Sequence, residues 1–232
     1  MISYYGSKTN VVKLYPPPRY DNIIEPFAGS ARYSLLHFER NVTLIDKYAP
    51  LIEMWRWLRD CSPGDILKLP RMKAGEKLSD YKWSCEQERF FMGYIIGYSS
   101  VSPRNTVSTR LVIRPNHINF GLGRVAGNLY KIRHWSMVHG DYRDHAVMGN
   151  CTWFVDAPYI RGGEKYKHSF KQWQYEGLAR WCRSRKGQVI VCEAGEADWL
   201  PFRTLGENRV TSKKITELIW TNENINTQPP ET

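Results

Sequence analysis

The order of apolar segments in the first 60 residues is the feature that most constrains the fold. Residues 22–27 (NIIEPF) and residues 41–46 (NVTLID) are short apolar runs, and each predicts a buried strand. Residues 31–40 and residues 48–59 carry apolar side chains at helical spacing, so each predicts a helix. This strand–helix–strand–helix order indicates a parallel sheet joined by right-handed crossovers.

The second half of the chain returns to the same pattern. Residues 170–185 have the spacing of an amphipathic helix. Further strands, of which the last two would form a terminal hairpin, are predicted at residues 135–140, 151–155, 188–192, 209–211 and 218–221. The whole chain is therefore assigned to the α/β class.

The middle of the chain has a different character. Residues 79–98 predict one long helix, whereas residues 97–127 are rich in Ser, Asn, Pro and Gly, which favour loops. This segment is interpreted as an insertion into the α/β framework. The predicted division is a framework domain of residues 1–54 and 135–221, an insertion of residues 55–134 and a polar tail of residues 222–232.

Positive charge is concentrated in that insertion. The chain has 33 Lys and Arg against 23 Asp and Glu, a net charge of +10, and residues 89–133 contain no acid at all. Solvated helix faces usually mix both signs, because like charges repel one another. The stretch therefore indicates a surface that faces phosphates, and a basic surface without a partner is the alternative. The basic residues predicted to face phosphates are Arg89, Arg104, Arg110, Arg114, Arg124, Lys131 and Arg133.

Several classes of protein are excluded by composition. No run of about 18 apolar residues occurs and the N-terminus lacks a basic-then-apolar pattern, so we expect neither export nor a membrane-spanning helix. The five cysteines form no CxxC pair, which argues against a disulfide scaffold and a zinc ribbon and favours a reducing cytoplasm. The six histidines have no metal-ligand spacing, so no metal site is expected.

Two polar features follow the first two predicted strands. Gly29 stands at a strand-to-helix turn, where a ligand can approach the backbone and the helix N–H groups, although a plain tight turn has the same sequence. Asp46 ends the second strand and can accept hydrogen bonds from both ribose hydroxyls of an adenosyl group. The alternative for Asp46 is an acid that only stabilises a helix N-terminus.

Two more acids end later strands. Asp141 follows the strand at residues 135–140 and could reach a cofactor's adenine. Asp156 follows the strand at residues 151–155 and can accept a hydrogen bond from an exocyclic amine. Close behind it, Pro158 fixes the backbone and Tyr159 offers a ring for stacking a base.

These motifs together resemble the Dam-like DNA adenine-N6 methyltransferases of the α group. The resemblance covers residues 1–60 and 135–221 and rests on five elements in the family's order: YYGSK at residues 4–8, EPFAG at residues 25–29, Asp46, GDY at residues 140–142 and DAPY at residues 156–159. It implies a Rossmann-like class I methyltransferase fold, with a mixed, mostly parallel seven-stranded sheet and a helical target-recognition insertion. The basic residues named above would then be its DNA-binding residues.

The resemblance also implies a cofactor, S-adenosylmethionine, and a set of roles. The residues that would surround the cofactor are Tyr4, Lys8, Glu25, Pro26, Phe27, Ala28, Gly29, Asp46 and Asp141. The residues that would act on the target base are Asp156, Ala157, Pro158 and Tyr159. The sequence departs from the family pattern at Ala157, where proline is usual, at Ser7, where a second glycine is usual, and at Ala31, where many relatives have glycine.

The expected activity is methyl transfer to the N6 amine of an adenine flipped out of double-stranded DNA, with a short or relaxed recognition site. Methylation of N4-cytosine or of RNA adenine is an alternative, as is a catalytically silent nucleic-acid-binding protein. We expect a monomer or a dimer in the cytoplasm of a bacterial or phage-infected cell, associated with the nucleoid through DNA. A role in restriction–modification, in a phage or in host regulation is left open.

Overall fold

Seven strands form one sheet in the computed structural model of the chain. The structure describes residues 11–97, 102–109, 116–145, 149–165, 167–210 and 213–223. The strands are β1 (Asn22–Glu25), β2 (Asn41–Asp46), β3 (Ser136–His139), β4 (Cys151–Val155), β5 (Gly187–Ala194), β6 (Arg203–Val210) and β7 (Lys213–Thr221).

The strand order is β3-β2-β1-β4-β5-β7-β6. Strands β1 to β5 pair in parallel, while β7 lies between β5 and β6 and is antiparallel to both. The prediction of a Rossmann-like α/β fold with a mixed, mostly parallel, seven-stranded sheet is thus confirmed. The chain order reverses between β1 and β4, and in such sheets ligands bind outside the carboxyl ends of the strands at this point.

Burial explains why the central strands form. All five residues of β4 are buried, as are the six middle residues of β5, because helices cover both faces of a parallel sheet. Two apolar clusters result. One contains Ile23 and Phe154 on one face, and the other contains Ile24 and Val155 on the opposite face. Alternating residues of the same strand therefore enter different halves of the core.

The helices are α1 (Arg32–Leu36), α2 (Ala49–Asp60), α3 (Pro63–Lys68), α4 (Glu86–Gly97), α5 (His117–Ala126) and α6 (Gln172–Ser184). Two differ from expectation in length. The helix predicted over residues 31–40 has only five residues, and the long helix predicted over residues 79–98 begins at Glu86, after a separate 3₁₀ turn at Leu78–Asp80. Helix α5 lies within the segment predicted as loop, since its glycines masked the helical spacing of Ile118, Leu122 and Val125.

The insertion shares its core with the framework. Helix α2 spans the boundary predicted between residues 54 and 55, and Trp55 and Leu58 on it are fully buried. Phe91 of α4 stacks against Trp57 of α2 with ring centroids 5.5 Å apart. The insertion therefore packs on the sheet domain through α2. Within the described residues, no helix has both the length and the apolarity that a membrane span requires.

Candidate active site

Four of the five predicted motif elements meet at the carboxyl edge of the sheet, and the fifth, at residues 4–8, lies outside the described residues. Glu25 ends β1 and Asp46 ends β2, while Asp156 follows β4 directly. Asp141 lies two residues beyond the end of β3, and the Gly140 amide donates a hydrogen bond of 3.1 Å to the carbonyl of Asp46. Parallel pairing aligns these strand ends, so residues far apart in sequence meet at one edge.

Glu25 is the most deeply buried acid among these four, with 2% of its surface exposed. Its Oε1 accepts a 2.8 Å hydrogen bond from the Ser34 amide in α1. Burial raises the pKa of Glu25 to about 8, the hydrogen bonds from Ser34 oppose the rise, and the negative charge of nearby Asp156 adds to it. Glu25 is therefore protonated at neutral pH and fixes α1 relative to β1.

The turn after Glu25 has two residues in the left-handed region. Gly29 has φ 42° and Ala31 has φ 47°. A left-handed conformation is strained in alanine because its Cβ approaches the carbonyl oxygen, and this strain explains why α1 begins only at Arg32. Among the described residues, a Cβ added to Gly29 would meet only the Phe27 carbonyl oxygen, at 4.0 Å, so this part of the structure leaves space for a ligand next to the turn.

Asp46 lies against that turn. Its Oδ1 accepts a 2.8 Å hydrogen bond from the Tyr48 amide. Burial raises the pKa of Asp46 to about 6, although the backbone N–H groups of Tyr48, Gly29 and Ala28 lower it. The carboxylate is thus held between two strand ends, and it is ionised at neutral pH.

Asp141 reaches the same edge with its carboxylate already paired. Arg143 donates hydrogen bonds of 2.8 and 3.0 Å to its two oxygens, and Lys47 donates one of 3.3 Å. The Arg143 side chain is the main cause that lowers the pKa of Asp141 to about 2. Asp141 is therefore ionised at any physiological pH. A ligand amine that bonds to this carboxylate would share it with Arg143 and Lys47.

An aromatic cluster lies close to these acids. The ring of Phe27 is 5.3 Å from that of Tyr142 and 5.8 Å from that of Phe170, measured between centroids. Tyr142 in turn meets Trp181 of α6 edge to face at 5.1 Å. Phe27 and Phe170 are only partly buried, so the cluster offers apolar surface to a planar ring at the sheet edge.

The DAPY segment is held by backbone contacts on both sides. Ala157 is 4% exposed, and the Pro158 carbonyl accepts a 2.9 Å hydrogen bond from the Tyr175 hydroxyl of α6. The Gly163 amide donates to the Tyr159 carbonyl at 3.1 Å. A Cβ on Gly163 would lie 2.9 Å from the Pro158 carbonyl carbon, so the chain needs glycine there to fold back on the segment.

Two buried glutamates that the sequence reasoning missed support this segment. Glu193 near the end of β5 is 1% exposed and accepts hydrogen bonds from the Ile160 amide at 2.9 Å and the Trp199 indole at 3.2 Å. Glu217 on β7 is 2% exposed and accepts the Tyr159 hydroxyl at 2.7 Å. Glu193 directly follows the apolar run QVIVC, as Asp46 and Asp156 follow theirs, so the sequence could have indicated it. No comparable pattern marks Glu217.

The predicted DNA-binding residues are in different situations. Arg104 and Arg124 are exposed, whereas Arg89 forms an ion pair with Glu86 at 3.2 Å. Arg133 donates to the carbonyls of Arg59 and Cys61 at the end of α2, which indicates a structural contribution.

Two contacts connect this basic surface to the framework domain. The Lys131 ammonium lies 4.7 Å from the Phe38 ring centroid. Burial lowers the pKa of Arg32, and the positive charge of Arg124 adds to this effect, so α5 approaches the beginning of α1. Arg110 and Arg114 lie outside the described residues, as do Tyr4 and Lys8 of the N-terminal motif.

Metal ligation is not supported where the structure can be described. No group of three or more His, Cys, Asp or Glu side chains there is arranged to hold a metal ion. The clustered acids at the sheet edge instead accept hydrogen bonds from amides, tyrosines and basic side chains.

Comparisons with known proteins return matches only among solved structures. No family model matches the chain, and no curated protein matches it. The Escherichia coli protein yhhF, a methyltransferase by provisional assignment, is similar at 13% identity and a TM-score of 0.32, covering 85% of this chain and 73% of that one. The rRNA methyltransferase aviRa of Streptomyces viridochromogenes is similar at 14% identity and a TM-score of 0.38, covering 85% and 76%. The assignment of the fold rests on the strand order described above.

Proposed function

We propose that the chain transfers a methyl group from S-adenosylmethionine to the exocyclic N6 of an adenine flipped out of DNA. One observation carries the proposal: an ionisable carboxylate, Asp156, and a fixed Pro158–Tyr159 backbone follow β4 at the same sheet edge as the Gly29 turn and Asp46. An acid and a tyrosine ring after β4, at the same edge as a glycine turn and a second acid, suit methyl transfer to a base amine.

The residues at the edge fit the cofactor in their chemistry. S-adenosylmethionine, when bound, supplies an electrophilic methyl group on a positively charged sulfur. The open space at Gly29 admits a ligand close to the backbone, and Asp46 offers carboxylate oxygens to ribose hydroxyls. The partly exposed rings of Phe27 and Phe170 offer apolar surface to an adenine. Negative charge on Asp46 also favours a cationic ligand, whereas the charge of Asp141 is already paired with Arg143 and Lys47.

The chain's own part in the reaction is to prepare the nucleophile. An adenine N6 is a weak nucleophile because its lone pair is delocalised into the ring. In the proposal the Asp156 carboxylate accepts a hydrogen bond from one N–H of the N6 amine, and the Ala157 carbonyl accepts one from the other N–H. Both contacts favour a tetrahedral nitrogen and hold its lone pair in line for attack. Only a main-chain oxygen is needed at position 157, so alanine satisfies the requirement that proline meets in the related family.

Tyr159 and the basic insertion act on the nucleic acid. The target must leave the base stack to reach Asp156, and the Tyr159 ring then stacks on it. The exposed Arg104 and Arg124 contact phosphates, which contributes affinity without reading sequence. The proximity of Arg124 to Arg32 brings this basic surface next to the α1 end of the site.

The direct test is transfer of a labelled methyl group. The purified chain is incubated with S-adenosylmethionine and, separately, with DNA duplexes that differ in base composition and with RNA of matched sequence. We expect label on adenine N6 in DNA, a loss of more than a hundredfold in Asp156→Ala, and no change in Asp198→Ala, which removes an exposed acid beyond β5.

The other outcomes separate the alternatives. Label only on cytosine N4 or only on RNA would refute the proposed substrate while retaining the chemistry at Asp156. Binding of cofactor and DNA without transfer to any substrate would identify a silent nucleic-acid-binding protein.

A second experiment concerns the basic surface. Replacing Arg104 and Arg110 by Gln is expected to weaken DNA binding and to reduce the slope of log K against log salt by about 1 to 2. Arg133→Gln is the matched control, because that guanidinium already bonds main-chain carbonyls and its loss should affect stability before the salt slope. An unchanged slope in the double variant would place the DNA elsewhere.

A further inference from the structure

The phenol oxygen of Tyr159 has a fixed position. It donates a 2.7 Å hydrogen bond to Oε1 of Glu217. Glu217 lies on β7, the strand between β5 and β6, and pairs with Ala194 on one side and Gly206 on the other. Because both neighbours hold its backbone, the Glu217 carboxylate is a rigid anchor for the tyrosine.

A second tyrosine stabilises the same carboxylate oxygen. The Tyr15 hydroxyl donates to Oε1 of Glu217 at 2.6 Å. Tyr15 is 4% exposed, and its ring meets Phe154 of β4 edge to face at 5.1 Å. Burial raises the pKa of Tyr15 well above its ordinary value, so the phenol remains a hydrogen-bond donor throughout the physiological range.

The main chain on both sides of Tyr159 is also held. Glu193 accepts the Ile160 amide, and the Pro158 carbonyl accepts the Tyr175 hydroxyl. With its backbone held in this way, Tyr159 retains freedom mainly in its side-chain torsions. The bond to Glu217 fixes the direction of the Cγ–Oη axis, and because a phenolic O–H prefers the plane of its ring, the bond also favours one ring plane.

If the Tyr159 ring needed only packing support, an apolar residue would suit position 217 better than a buried carboxylate. Removing an ionisable group from water is unfavourable, and a buried apolar residue of similar volume often gives equal or greater stability. Besides satisfying the buried Tyr15 hydroxyl, this acceptor fixes the direction of the Tyr159 side chain.

We propose that Glu217 is a positioning residue that orients the Tyr159 ring for stacking on the flipped base. The inference rests on the proposed function and adds a residue from the antiparallel strand to the site. Tyr15 is the partner that keeps the Glu217 carboxylate in place. The ring would touch the substrate, whereas Glu217 would act only through the ring.

The test compares kcat and KM across a small set of variants. Tyr159→Phe and Glu217→Leu are each expected to lower kcat about tenfold, with KM for S-adenosylmethionine unchanged, because a misplaced ring affects the reaction after the cofactor has bound. The double variant should be no slower than Tyr159→Phe, since both changes remove one interaction. Glu217→Gln keeps an acceptor oxygen and should retain kcat within about twofold.

Tyr81→Phe is the matched control. It removes a tyrosine-to-glutamate hydrogen bond of 2.5 Å to Glu76 in the insertion and should leave kcat unchanged. A spectroscopic measurement adds a direct view of stacking. With 2-aminopurine at a position that the protein methylates, the fluorescence of the flipped base should be quenched by the unaltered protein and should rise in Tyr159→Phe and Glu217→Leu.

The outcomes are distinct. Wild-type kcat and quenching in Tyr159→Phe would overturn the inference, even if Glu217→Leu failed to fold. Additive losses in the double variant would also overturn it, because Glu217 would then act by another route. If the unaltered chain transferred no methyl group to any nucleic acid, the proposed function and this inference would fall together.

Discussion

The burial of Glu25 predicts how the stability of the protein changes with pH. It is 2% exposed, and burial raises its pKa to about 8 from the ordinary 4.5. A carboxyl group whose pKa is higher in the folded state binds more protons when folded. Its contribution to stability is therefore fully present below pH 4.5 and is lost as pH rises through 8. Glu25→Gln removes the titration and keeps an oxygen that can accept the Ser34 amide.

The size of the effect follows from the interval between the two pKa values of Glu25, 4.5 in the unfolded chain and about 8 in the folded protein. Each pH unit between the two pKa values changes the unfolding free energy by about 1.4 kcal/mol. The whole window from pH 4.5 to pH 8 is thus worth about 5 kcal/mol, most of which is already lost at pH 7. The advantage of Glu25→Gln over the unaltered chain should increase by this amount between pH 4.5 and pH 8.

The assay is urea unfolding at half-unit pH steps, followed by circular dichroism, for the unaltered chain and Glu25→Gln. Glu176→Gln removes the same charge from the exposed face of α6 and is the matched control; its curve should run parallel to that of the unaltered chain. If the curve of Glu25→Gln also ran parallel, Glu25 would be ionised in the folded protein and the account of its burial would be wrong.

Three further predictions concern the fold and the cofactor. Gly187→Ala should lower stability by about 2–4 kcal/mol and Tm by roughly 5–15 °C, because φ is 89° and the new Cβ would lie 2.2 Å from the Cys151 carbonyl oxygen. The affinity for S-adenosylmethionine should fall about tenfold per pH unit below pH 6, as Asp46 is protonated. Gly29→Ala should weaken cofactor binding more than tenfold and lower stability by only about 1 kcal/mol, since its Cβ enters open space.

Calorimetry and cofactor titration check these outcomes. Gly177→Ala in α6 is the control for Gly187→Ala and should raise stability by up to about 1 kcal/mol, because it has an open environment inside a helix. Asp46→Asn should make cofactor affinity low and insensitive to pH between 5 and 7. Tight cofactor binding by Gly29→Ala would refute the assignment of the open turn.

The centre of the framework was predictable because β4 is fully buried and β5 nearly so, whereas β6, predicted at residues 209–211, begins at Arg203. A run such as CTWFV is apolar without interruption, so its strand could be located to the residue. The acids that end these runs followed from the same pattern, which is why Asp46 and Asp156 were found. The seven-stranded sheet was expected from the order of the motifs, and the structure confirms it.

Other features depend on contacts that no local pattern carries. The left-handed conformation of Ala31 moved the start of α1 to Arg32, and nothing in the residue type indicates it, because alanine normally favours a helix. The glycines of α5 masked an apolar face that forms only when it packs in the insertion. Glu217 meets Tyr159 only because β7 lies between β5 and β6, so its contact depends on topology.

The bond between Tyr15 and Glu217 joins positions that are 202 residues apart in the chain. Translation proceeds from the N-terminus, so Tyr15 leaves the ribosome long before the strand that carries Glu217 has been made. Closing so long a loop is slow compared with local helix formation. A nascent chain that ends before β7 would therefore carry Asp156 and Tyr159 without their anchor. Full order at this edge of the sheet is therefore reached only after β7 has been made and has paired with β5.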